Sequence, residues 1–84
     1  PGPVELLEMF ETMAELEAAC GRLAAGRIGA AALAELAEAN RLCGDALARG
    51  DADGYYRENE RFHRLIYRAA GNAYLAEMAA KLQK

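Results

Sequence analysis

The chain has 84 residues and a formal net charge of −3, from 10 Lys+Arg against 13 Asp+Glu. That size allows one small domain at most, and that balance argues against an autonomous nucleic-acid binder, which carries a basic stripe. With 54% hydrophobic and 27% charged residues it is not a disordered chain, and no apolar run approaches the roughly 20 residues of a membrane span.

Ala is the strongest helix former, and with 20 Ala against 2 Pro and no Trp the composition points to an all-α fold. No basic start leads into an apolar stretch, so no secretory signal is visible. Two Cys are too few for a disulfide scaffold and place the chain in a reducing compartment, the cytoplasm. A core this thin calls for self-association, or for more of a larger bundle. The chain starts at Pro1 without Met and runs out inside a helical pattern at Lys84, which fits a piece of something longer.

The first predicted helix runs from about Val4 to Ala25. Leu6, Met9, Met13, Leu16, Cys20 and Leu23 alternate by three and four and so share one stripe, which Phe10 widens. Glu5, Glu8 and Glu11 near its start and Arg22 and Arg27 near its end suit the helix dipole, and Gly26 and Gly29 bracket its stop. The second runs from about Ala30 to Ala48, with Leu33, Leu36, Asn40, Cys43 and Leu47 on the equivalent stripe. Asn40 there either fixes register in a buried seam or sits at the stripe's edge in water. Gly50 ends the helix and Asp51 can cap the next.

The third predicted helix runs from about Ala52 to Ala70. Tyr55, Phe62, Leu65, Ile66 and Ala69 make its apolar side, and Tyr56, Asn59, His63, Tyr67 and Ala70 an adjoining side of mixed polarity. Gly71 is a natural helix-ending residue and Asn72 a natural N-cap. A last helix from Ala73 places Leu75, Met78, Ala79 and Leu82 on one face. Short connections predict antiparallel neighbours packed as a bundle of about four helices.

Little in the chain carries catalysis. There is no Ser and no Gly-rich phosphate loop, and Thr12 has no adjacent base. Cys20 and Cys43 fall on apolar stripes, where a thiol is usually inert. Met9, Met13 and Met78 read as core filler. Glu58 and Glu60 beside Arg57, Arg61 and Arg64 read as a solvated, charge-paired face. The one group that titrates near neutrality is His63, the sole histidine. Asn59 lies one turn before it, so both side chains leave the helix on one side. Two such donors can begin a metal site but cannot close one, and a half-buried histidine with a hydrogen-bond partner is the plainer reading.

The stretch Asn59-Glu60-Arg61-Phe62-His63-Arg64-Leu65-Ile66, then Ala69-Ala70-Gly71-Asn72 and Leu75, resembles the C-terminal effector domain (FCD domain) of FadR-like regulators in the GntR family. That pattern has an Asp or Asn, three residues, and a His preceded by Phe, followed by a Gly-Asn or His-Asn junction. Glu5 to Glu11 and Leu16-Glu17-Ala18-Ala19 resemble that domain's first helix, and Gly50-Asp51 its turn before the third.

The resemblance implies the N-terminal part of a ligand-sensing, dimerising antiparallel bundle with no enzymatic role. Residues 1–84 are then a partial effector-binding domain, lacking later helices and an N-terminal winged helix-turn-helix through which alone DNA is bound. The effector is expected to be a small carboxylate and the partner a second copy. Tyr56, Asn59, His63 and Tyr67 become candidate pocket residues. Asn59 and His63 become the first two ligands of a divalent metal, Zn or Ni, in the full-length protein; this chain is not expected to bind it tightly. Asn59 replaces an Asp common in metal-binding members, and Met13 stands where many members carry an Arg for the effector's carboxylate. The alternative is a stand-alone helical oligomerisation or protein-interaction module without a ligand. A small helical enzyme ranks lower, because most Arg are expected in solvent rather than converging on a pocket.

Overall fold

The computed structural model describes residues 1–82, which form four helices and, among these residues, no strand: α1 (Pro3–Arg27), α2 (Ala30–Ala48), α3 (Ala52–Ala70) and α4 (Ala73–Leu82). The all-α expectation holds, and the helix limits follow from local chemistry. Asp51 caps α3 by accepting from the Gly54 N–H at 2.9 Å. Gly71 ends α3 in the left-handed region at φ 66°, which a side chain would strain. Asn72 then caps α4 by accepting from the Leu75 N–H at 3.0 Å. Helix α1 stops between Gly26 and Gly29 as expected, two residues past the predicted Ala25, but Ile28 in extended backbone ends it and neither glycine takes a positive φ.

The helices make a slab of 37 × 33 × 15 Å. Helix α3 packs against each of the other three. It runs parallel to α1, because Arg27 reaches Ala70 at one end while Glu17 reaches His63 and Tyr67 further back. It runs antiparallel to α2 through the short Arg49–Asp51 link. Helix α4 turns back along α1 and α3, so that Leu82 lines the same groove as Leu6 and Met9. Helices α1 and α2, consecutive in the chain, do not pack on each other. Antiparallel pairing of successive helices therefore holds for α2–α3 and α3–α4 but not as contact between α1 and α2, since α3 occupies the place between them.

The principal core cluster is made of small groups. Cys20, Ala70 and Ala79 are fully buried, with Leu16, Leu23, Ile66, Tyr67 and Leu75 packed around them. Small side chains let the helix backbones of α1, α3 and α4 approach, and leave no slack for a larger group.

The buried side of α2 only partly matches the predicted stripe, of which Leu36 and Cys43 are half-buried. Ala39 and Ala46 are fully buried, whereas Leu33 is 54% and Leu47 70% exposed, and Asn40 is exposed. Asn40 is thus a surface residue rather than a buried register pin. The reason is that Ala lines several sides of α2, so hydrophobic spacing alone gives little contrast. The alanine side permits the closest approach to α3, and it wins. The first twelve residues are likewise all exposed, including Leu6 and Met9 of the predicted α1 stripe.

Candidate functional site

Residues at three- and four-residue spacing on α3 open onto one side of the slab. Tyr56, Asn59, His63 and Tyr67 all line a single groove of about 760 Å³, with Glu60 and Arg64 beside them. Leu6, Met9, Phe10 and Met13 of α1 supply the facing apolar wall, and Ala80 and Leu82 of α4 contribute to the lining. The parallel run of α1 and α3 places that apolar wall opposite the polar side of α3. A mostly apolar concavity with a few convergent polar groups is what a small-molecule site requires. A smaller concavity between α1 and α4, lined by Thr12, Leu16, Tyr74, Met78 and Lys81 among others, holds none of the four candidates.

The four candidates differ in surroundings. Tyr56 is 66% exposed and stands at the groove's rim. Asn59 and His63 are half-buried one turn apart. The His63 and Tyr67 rings tilt by 31° at a centroid separation of 6.2 Å, and Phe62 meets His63 edge-on at 6.0 Å.

Beside these groups lies a residue the sequence analysis passed over. The Tyr67 hydroxyl donates to Glu17 Oε1, and Glu17 Oε2 stands 3.5 Å from His63 Nδ1. That second distance is long for a hydrogen bond. Nδ1 is sealed from solvent and has no hydrogen-bond partner. A signal for Glu17 existed: it lies four residues after Met13 and three before Cys20, on the flank of the apolar stripe, where a carboxylate is half-buried. Arg64 was also passed over as a solvated side chain, yet it lines the groove.

Other charged groups pair away from the groove. Arg41 bridges Glu38 at 2.5 Å and Asp45 at 2.9 Å on the surface of α2. The hydrogen bond from Arg41 holds the Glu38 carboxyl below its ordinary value, with the charges of Arg41 and Arg61 adding to it. At Cys20, burial first and the negative Glu17 second push the thiol up, which keeps it protonated and unreactive.

The fit to a metal ion is partial. Asn59 and His63 offer two donors on one face, but the described residues contain no group of three or more His, Cys, Asp or Glu placed to hold a cation. Two neutral donors fill half of a tetrahedral shell and a third of an octahedral one, so closing a metal site calls for donors beyond Asn59 and His63. No described helix is long and apolar enough to cross a membrane.

In comparisons with known proteins, the family model described as FCD domain matches residues 8–84. No curated protein and no solved structure matches the chain.

Proposed function

Because the chain belongs to the FCD domain family, the effector-binding domain of GntR-type transcriptional regulators, we propose that its α1–α3 groove receives a small carboxylate effector. The observation that carries this reading is the convergence of Tyr56, Asn59, His63 and Tyr67 on one concavity facing an apolar wall. The apolar wall would hold the effector's carbon skeleton, and Arg64, the one cation among the described lining residues, would meet its carboxylate. The domain is regulatory, and the groove is read as a sensor rather than as a catalytic centre.

The mechanism would be allosteric. An effector bound between α1 and α3 favours one relative placement of those helices, and a dimer would transmit that preference to the spacing of two winged helix-turn-helix domains. A divalent metal, Zn or Ni, would need donors beyond Asn59 and His63. When bound, such a metal would supply Lewis-acid chemistry, with Asn59 and His63 as two of the residues that would hold it.

The test is calorimetry of the 84-residue chain with a panel of small mono- and dicarboxylates, with and without Zn or Ni. Saturable binding that is lost in Asn59→Ala and His63→Ala supports the reading. Absence of heat across the panel, or binding untouched by both substitutions, would overturn it.

A row of exposed apolar side chains favours self-association as a second property. Val4, Leu7 and Phe10, at three-residue spacing on α1, are 71%, 69% and 60% exposed. Light scattering that returns only monomer at high concentration would count against a dimer formed through this row.

A further inference from the structure

Within the groove, the imidazole of His63 has two unlike environments. Nδ1 is buried with no hydrogen-bond partner, and the carboxylate oxygen facing it is Glu17 Oε2 at 3.5 Å. The side chain as a whole is 30% exposed and lines the groove, so with Nδ1 sealed it is the Nε2 side of the ring that an incoming group would meet. Glu17 is itself held, since its other oxygen accepts the Tyr67 hydroxyl. The three side chains come from positions 17, 63 and 67, and they meet only because α1 and α3 run parallel in this register.

We infer that Glu17, oriented by Tyr67, is a positioning residue that fixes His63 as the Nδ1–H tautomer and so presents an unprotonated Nε2 to the groove. The electrostatics leave little choice. A lone pair on Nδ1 pointing at a carboxylate oxygen is repelled, and being cut off from water it finds no other donor. A proton on Nδ1 turns the same contact into an attraction. At 3.5 Å the pair is a few tenths of an ångström outside the usual N–H···O range, close enough for the charge of Glu17 to favour the proton on Nδ1. Which imidazole nitrogen carries the proton is set in this way by the partner of the other nitrogen.

The consequence concerns what His63 can bind. A bare Nε2 accepts a hydrogen bond or donates its lone pair to a cation. It repels an unprotonated carboxylate. The group that meets His63 is therefore a hydrogen-bond donor or a Lewis-acidic cation, while the effector's carboxylate is left to Arg64. This specificity rests on the groove being the effector pocket, but the tautomer itself does not.

The chain's single histidine makes the test direct. Long-range 1H–15N correlation spectra of the ligand-free 84-residue chain are recorded at a pH about two units above the ordinary imidazole value of roughly 6.5. The expected result is a pyrrole-type nitrogen at Nδ1 and a pyridine-type nitrogen at Nε2. Glu17→Leu should move the proton to Nε2 or average the two shifts, and Tyr67→Phe should shift the pattern in the same direction. A wild-type spectrum with the proton on Nε2, or averaged, overturns the inference, as does a wild-type pattern that survives unchanged in Glu17→Leu. The expected tautomer in a chain that binds no carboxylate would support this inference while the pocket reading fails. Carboxylate binding with a reversed tautomer would sink this inference alone.

Discussion

Arg27 at the end of α1 donates through Nη1 to the carbonyl of Ala70 at 2.6 Å, closing the end of α3 from 43 residues away. The last carbonyls of a helix lack partners within it, and a cationic donor satisfies both the missing hydrogen bond and the negative end of the dipole. The same side chain lies over Gly71, where an added Cβ would come within 3.4 Å of it. Arg27 thus fixes α1 against α3 at the end opposite the open groove. Arg27→Met should lower stability by about 1 kcal/mol, read from the urea midpoint, with Arg27→Lys recovering part of it. An unchanged midpoint in Arg27→Met would show that this contact is absent in solution.

The side that α2 buries gives a second prediction, with effects of unequal size at two positions. Ala39 is fully buried and Leu33 is 54% exposed. Ala39→Leu should cost roughly 1–3 kcal/mol through overpacking, while Leu33→Ala should stay within about 0.5 kcal/mol. Thermal unfolding of the two variants decides between the alanine side and the leucine stripe. The reverse order of effects would return α2 to the orientation that hydrophobic spacing suggests.

Acid should unfold the chain partly through its helix cap. The Gly54 N–H, then Arg49, hold the Asp51 carboxyl below its ordinary value of 3.8. A carboxyl depressed in the folded state stabilises it fully above the unfolded value, and that contribution disappears as pH falls through the lower folded value. Melting temperature should therefore drop below about pH 4 more steeply in the wild type than in Asp51→Asn, which keeps a neutral capping side chain. Parallel profiles for the two proteins would remove Asp51 as a source of acid sensitivity.

Arg64 and Met13 both line the groove and bear differently on an anion. Arg64→Gln should weaken a small carboxylate by about tenfold or more, measured by calorimetry. Met13→Arg adds a second cation to the wall opposite α3 and should tighten the same ligand. If Arg64→Gln has no effect while Met13→Arg is tolerated without gain, the anion is held elsewhere.

Much of this arrangement was readable from short stretches of sequence. Asp51, Gly71 and Asn72 mark helix limits because capping and left-handed backbone depend on residues within one turn of each other. The shared side of Tyr56, Asn59, His63 and Tyr67 followed from the helical period, and so did their resemblance to one family's motif. Glu17 was harder to find. Its neighbours in sequence are apolar or like-charged, and its meaning lies in His63 and Tyr67, 46 and 50 residues on.

The sequence by itself determined four helices, their approximate limits and the side of α3 that carries the candidate groups, since each depends on interactions inside a helix. Only the tertiary structure decided that α3 lies between α1 and α2, that α2 turns its alanines inward and that Glu17 faces His63. Those choices are made by backbone approach and close packing between helices, and alanine-rich sides leave hydrophobic spacing too weak to announce them.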